Sequence, residues 1–220
     1  MPNLSIQLHL LNVWIRVKLT KHFPSFENKE NFACWRRDWI MDTIKAIELR
    51  KSVRSYLPKP VEAEIITQLV RAGNSAPKVG IFHTSVIENP GILGEINEEA
   101  LVQYQNSGDK LLMGRAALEG YQPLYGAPVF FLFSAPFANP LKEATTSCAA
   151  TCITIAATAL GLGSCYIHSA LQGIRGNSKL MEKIGIPFGL TPICGVVVGH
   201  SAEDSLSPHR SITENVNYCR

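Results

Sequence analysis

The chain has 220 residues, 46% of them hydrophobic, and a formal net charge of +3. That length suits one large domain, and the apolar fraction is ample for a real core. So small a charge, with no basic tail or stripe interleaved with aromatics, argues against a nucleic-acid partner.

In residues 1–40, Leu4, Ile6, Leu8 and Leu10 alternate, then Leu11, Val13, Ile15 and Val17 alternate in the opposite phase. This is strand-like periodicity or a partly ordered appendage. It is not a membrane helix, since His9, Asn12 and Arg16 interrupt it. Arg16, Lys18 and Lys21 follow the apolar part instead of preceding it, which is the wrong order for a secretory signal. Residues 1–40 are expected to be an N-terminal extension, with a partner-binding or peripheral membrane arm as the alternative.

From Met41 the elements come in a definite order. Asp42 is placed to cap a first helix whose greasy side is Ile44, Ala46, Ile47 and Leu49. The pattern stops at Arg50, and Pro58 and Pro60 forbid a clean continuation. Arg50, Lys51, Ser52 and Arg54 follow at once. On a helix, Arg50 and Arg54 project from one face and can close on a single anion, with Ser52 as a neutral donor. Arginine's planar fork suits phosphate oxygens and heteroaromatic carbonyls. A solvated basic helix end has the same composition.

Pro60 is expected in the first turn of a second helix, with Val61, Ile65, Ile66, Leu69 and Val70 at helical spacing. A strand is predicted over 83–87 and a helix over 92–104 with Glu95, Glu98 and Glu99 outward. A helix and then a loop are predicted over 108–125. Residues 129–133 are apolar without alternation, as expected of a strand covered on both faces. The helix over 148–160 is apolar or small nearly all round and is therefore buried, against another helix. Strands at 165–168 and 193–198 flank a helix near 179–184. The sum is one α+β domain with a mixed central sheet flanked by helices.

Six cysteines are scattered without a CxxC pair, the pattern of a reducing cytoplasm. Cys148 and Cys152 share a helix face that could hold a metal. They lie among Ala149, Ala150 and Ile153, where cysteine behaves as a small hydrophobe, so core packing is the expectation. No HExxH, P-loop, Ser-His-Asp set or GxGxxG after a strand is present.

Several short motifs then line up. They are Ser75-Ala76-Pro77, Tyr125-Gly126-Ala127-Pro128, and the run from Ala159 through Gly161, Gly163 and Ser164 to Ile167. Ile184-Gly185-Ile186-Pro187, the stretch 192–199 and Pro208-His209-Arg210 complete the order. Together they resemble the nitroreductase family of flavin-dependent oxidoreductases, from about Met41 to the C-terminus. The resemblance implies a domain over 41–220, homodimeric around a long buried central helix, with FMN in a groove between subunits. It gives Arg50, Lys51, Ser52 and Arg54 to the flavin phosphate and the N1/C2 edge of the ring. Arg210 would reach the phosphate, helped by His209, and Gly163 and Ser164 would lie along the isoalloxazine. Asn97 would supply a ring-edge amide, and His83 would border the substrate pocket.

After Ala-Pro the family usually shows serine, then asparagine three residues on, serving the partner's flavin. Here Pro77 is followed by Lys78 and Ile81; lysine can reach phosphate, but isoleucine cannot replace an amide. The implied activity is hydride transfer from NAD(P)H through flavin N5 to a nitroaromatic or quinone by a ping-pong cycle. No acid–base residue is named. The same fold also resembles flavin-dependent dehalogenases, flavin-cleaving enzymes and peptide-azoline oxidases, a choice carried by 99–125. A non-catalytic flavin-binding protein is the alternative of a different class.

Overall fold

Asp42 opens the first helix by accepting from the N–H groups of Ile44 and Lys45 at 3.0 and 3.2 Å, as the sequence predicts. The computed structural model describes residues 41–202 and 215–219, within a compact unit running from Met41. The expectations for 1–40, Cys34, His209 and Arg210 lie outside the described residues. In chain order the elements are α1 (Thr43–Leu49), α2 (Ala63–Asn74), β1 (His83–Ile87), α3 (Pro90–Gln105), α4 (Lys110–Ala116) and β2 (Val129–Pro136). They continue with α5 (Lys142–Ala159), β3 (Gly163–Ile167), α6 (Leu171–Arg175), α7 (Ser178–Ile184) and β4 (Leu190–Gly199).

The sheet order is β1-β2-β4-β3, and all three pairings are antiparallel. The parallel component of the expected mixed sheet is a single bridge between Ser52 and Ser164. Successive side chains on a strand point to opposite faces. Phe130, Leu132, Cys165 and Val197 therefore build one core, and Phe131, Phe133, Val196 and Val198 the other. Both cores are roofed by helices, which is why β2 shows no alternation. α5 lies on the second core, with α1 and α2 packed against it. α3 and α6 cover the first, joined by α4 and α7.

Several boundaries differ from those read in the sequence. α2 starts at Ala63 behind Glu62, so Pro60 precedes the helix, and Val61, at 5% exposure, enters the core ahead of it. α5 starts at Lys142, well before 148, and in its first turns the Thr146 hydroxyl donates to the Lys142 carbonyl at 2.7 Å. α3 begins at Pro90, with Asn89 capping the N–H groups of Gly91 and Ile92. The short α6 has no counterpart in the sequence reading. α5 ends at a left-handed Gly161, where the Leu162 N–H returns to the Ala157 carbonyl at 2.8 Å.

Cys165 and Cys194 are buried free thiols, whereas Cys148 and Cys152 are only half-buried. The expected core packing of that pair is thus partial: they sit at the margin of the core under α5, on the helix side turned from the sheet. Among the described residues, no helix is long and apolar enough to cross a membrane.

Candidate functional site

Helix α1 stops at Leu49, and Arg50 is its C-cap with ψ 123°. The cations that follow are therefore not on a helix, contrary to the sequence reading. The chain instead runs along the free edge of β3. Ser52 bridges Ser164, and the Val53 N–H donates to the Ser164 carbonyl at 2.9 Å. Further on, Tyr56 bridges Ser201, and the Leu57 N–H reaches the His200 carbonyl at 2.8 Å. An edge strand with unpaired backbone groups is thereby covered.

Val53 is 2% exposed and packs on Gly163, where a Cβ would lie 3.0 Å from both valine methyls. Glycine at 163 is what lets the segment lie so close. Alternate residues of a bridged chain share a side. Arg50, Ser52 and Arg54 thus face away from Val53, while Lys51 falls in the valine's set.

Two buried groups register where the guanidiniums sit. Burial pushes the Cys165 thiol up, and Arg54, Ser52 and Arg50 oppose it. Both arginines thus lie near enough to the Cys165 thiol for their charge to oppose the effect of burial. Tyr56 is also pushed up, by burial first and then by Cys165 and Tyr125, against the pull of Arg54. Its hydroxyl donates to the Val53 carbonyl at 2.9 Å and props the segment from below.

Arg54 forms one wall of a cavity of about 230 Å³ closed by Gly120, Tyr121, Gln122, Tyr125 and Gly126. The loop that makes the other walls is tightly wound. The Tyr125 N–H returns to the Gln122 carbonyl at 2.8 Å, and Tyr125 and Gly126 have φ of 56° and 70°. The left-handed region costs a non-glycine residue about 1–2 kcal/mol. Here that conformation sets the Tyr125 ring edge-on to Tyr121, with centroids 6.2 Å apart. Aromatic walls with one guanidinium and one primary amide suit a flat heteroaromatic edge that carries carbonyls. Tyr104, buried in the same core, donates to Ser169 Oγ at 2.7 Å in the turn that follows β3.

Gln122 was missed in the sequence. Its signal is an amide between turn glycines just before a buried strand, a place where loops carry function. Asn97, the expected ring-edge amide, instead accepts from the Leu124 N–H at 2.8 Å and lines a neighbouring cavity. Gly163 and Ser164 are buried under the cation segment, Ser164 at 2% exposure, so they seat that segment and offer no open face to a ring.

Pro77 and Lys78 are exposed beyond α2 and line neither cavity. The Lys78 ammonium lies 5.7 Å from the Phe82 ring centre. Thr145 Oγ1 and Asn139 pin the adjacent Val79 backbone at 3.1 and 3.0 Å, while Ile81 is exposed. His83 is half-buried at the start of β1 opposite Ser134 and belongs to neither cavity. No cluster of metal-ligating side chains exists among the described residues.

The family model described as "Nitroreductase family" matches residues 47–200. An FMN reductase [NAD(P)H] from Bacillus subtilis (strain 168) is 29% identical over 201 residues, covering 80% of this chain and 73% of its own. A nitroreductase with bound FMN from Bacteroides fragilis NCTC 9343 superposes with a TM-score of 0.74 at 25% identity, covering 82% of this chain and all of its own (100%). One from Desulfitobacterium hafniense DCB-2, also with bound FMN, has a TM-score of 0.75 at 21% identity over 82% of this chain and 100% of its own, a likeness of fold. On the extent of the family match, the chain belongs to the nitroreductase family.

Proposed function

We propose that the chain is an NAD(P)H-dependent flavin oxidoreductase that binds FMN and reduces a flat, electron-poor acceptor, a nitroaromatic or a quinone, in a ping-pong cycle. The observation that carries this is the convergence of Arg50, Ser52 and Arg54 on one side of a segment docked to β3, beside Gln122 and two tyrosines. The residues fit the cofactor: the set is rich in hydrogen-bond donors, as an anionic phosphate and a dicarbonyl ring edge require. When bound, FMN supplies the two-electron chemistry, taking hydride from NAD(P)H and passing it to the acceptor.

The side chains do the holding. Arg54 and Gln122 donate to the carbonyl edge of the ring, and Arg50 answers the phosphate. A fixed guanidinium at the carbonyl edge favours the reduced form, because reduction places negative charge there. Arg210 is proposed as a second phosphate contact. No side chain is given an acid–base role.

The working unit is proposed to be a homodimer in the cytoplasm. α5 leaves Ala144 and Thr151 exposed and Cys148, Cys152, Ile155 and Ala159 half-exposed, a face of small and apolar side chains. Pro77 and Lys78 stand away from the cavity of their own subunit, and a partner packed across α5 gives them a second flavin to meet. Residues from Met41 onward suffice for this unit, and 1–40 are an extension to it.

Purification tests the reading directly. The protein is expected to be yellow, to release FMN on denaturation and to oxidise NAD(P)H when a quinone is added. A colourless protein that takes up no added FMN ends the flavin reading. A yellow protein without turnover leaves flavin binding and removes the enzyme. Removal of residues 1–40 is expected to preserve both colour and dimer.

A further inference from the structure

Beside the Arg54 cavity lies a larger one of about 470 Å³, a size in the range of small-molecule sites. Pro58, Pro60, Leu93, Leu124 and Val129 give it apolar walls, and Asn97 and Gln122 are its two amides. Lys59 and Glu88 sit on its lining with opposite charges, so it has no net preference for an ion. Gln122 and Gly126 belong to both cavities.

The amides are not equivalent donors and acceptors. Asn97 Oδ1 is committed to the Leu124 N–H, which leaves its NH₂ to offer. Gln122 Oε1 lies over Gly126, 3.4 Å from where a Cβ would stand. The Asn97 amide therefore has hydrogens left to donate and Gln122 has its NH₂ as well as its oxygen, so a ligand that brings an acceptor can be met by both.

Gly94 is the independent observation. It lies inside α3 and on the wall of this cavity. Glycine in a helix interior costs about 0.5–1 kcal/mol relative to alanine. Close packing usually explains such a residue, yet no atom lies within 4 Å of a Cβ built here. A side chain at this position would project into open space on the cavity wall, and its absence leaves that volume free.

We infer that this cavity is a second small-molecule site, for a neutral ligand with a carbonyl-type acceptor at one end of a flat apolar body. The carbonyl meets the Asn97 and Gln122 amides, and the body lies against the prolines, Leu93 and Val129. The inference goes beyond the flavin reading and shares only Gln122 with it; Gly94, Asn97 and the apolar walls take no part in holding FMN. Because Gln122 is shared, occupancy is also felt at the cavity that Arg54 walls.

The probe is 1-indanone, a flat neutral ketone, titrated into the FMN-loaded full-length protein and followed by saturation-transfer and amide chemical-shift mapping. Saturable binding is expected, with shifts centred on Gly94, Gln122, Gly126 and the Asn97 side-chain NH₂. Gly94→Leu fills the cavity without a clash and is expected to weaken the probe about tenfold or more, the equivalent of one lost hydrogen bond. Gly94→Ala is expected to bind nearly as the parent does. Absence of binding, shifts centred elsewhere, or equal affinity in Gly94→Leu overturns the site. If Gly94→Leu fails to fold, the shift map on the parent protein decides alone. A protein that takes up no FMN yet binds the probe with shifts centred on Gly94 would count against the flavin reading and leave this one intact.

Discussion

Arg54 is exposed and walls the cavity that Tyr121 and Tyr125 line. Its charge opposes the upward push that burial exerts on Cys165 and Tyr56. The docked segment fixes its base, and the Tyr121–Tyr125 loop closes the opposite wall. Arg54→Ala is therefore expected to weaken FMN by about ten- to a hundred-fold, since a charge-assisted hydrogen bond is worth roughly 1.5–3 kcal/mol. Fluorescence titration of the apoprotein measures the loss. The flavin potential is expected to fall with it, because the cation stands beside the ring-edge amide. Lys78→Ser changes neither much in this reading. Unchanged affinity and potential in Arg54→Ala would return the motif to a solvated helix end. The arginines and Ser52 were legible because charge and hydroxyl density stand out in a linear sequence. Gln122 was not, since only the fold brings the 120–126 loop to Arg54. Gly163 is a related case: the sequence shows a glycine but not the Val53 side chain that packs on it.

Elements bring these residues into place, and their ends matter more than their middles. α1 must stop at Leu49 for the chain to turn onto β3, and it starts on the Asp42 cap. Asp42→Ala is expected to cost about 1 kcal/mol. In a domain of this size that lowers Tm by roughly 2–4 °C in a thermal melt. FMN affinity is expected to stay the same, because Val53 and Ser164 hold the segment independently of the cap. A parallel loss of FMN would show that α1 itself positions Arg50. Capping residues such as Asp42 and Gly161 were readable, since their chemistry is local. The start of α5 was not. Its first turns carry Thr145 and Thr146, which weaken a helical reading; Thr146 bonds back locally to the Lys142 carbonyl, but the Thr145 hydroxyl finds Val79 only in the fold. α6 is too short to show a period, and it rests on contacts with α3 and β4.

For the whole molecule, the titratable groups inside set an alkaline limit. Burial pushes up Tyr56, Tyr104 and Tyr121, and likewise the Cys165 and Cys194 thiols. Each group is neutral when protonated, so the folded state keeps protons that the unfolded chain releases. Stability is fully present below the unfolded values, about 8.5 for cysteine and 10 for tyrosine. Above them the unfolded state binds fewer protons, and stability falls with pH. Tm is expected to be flat to about pH 8 and then to drop. The tyrosinate absorbance of Tyr56, Tyr104 and Tyr121, as distinct from that of the exposed Tyr218, is expected only once the protein unfolds. Full tyrosinate absorbance before unfolding would mean that these three phenols are open to solvent. Assembly is tested on the α5 face. Thr151 is exposed in one subunit, where a surface substitution normally changes stability by no more than about 0.5 kcal/mol. Thr151→Arg should therefore leave an isolated subunit folded. In a dimer packed across α5 the same arginine buries an unpaired charge, which costs several kcal/mol and dissociates the pair. Sedimentation velocity is expected to show a dimer for the parent and a monomer for the variant. FMN should weaken as well, because the partner's exposed Ala-Pro loop is withdrawn from the groove. A Thr151→Arg dimer with unchanged FMN affinity would move the interface off α5, and Lys78 would then need a role within its own subunit.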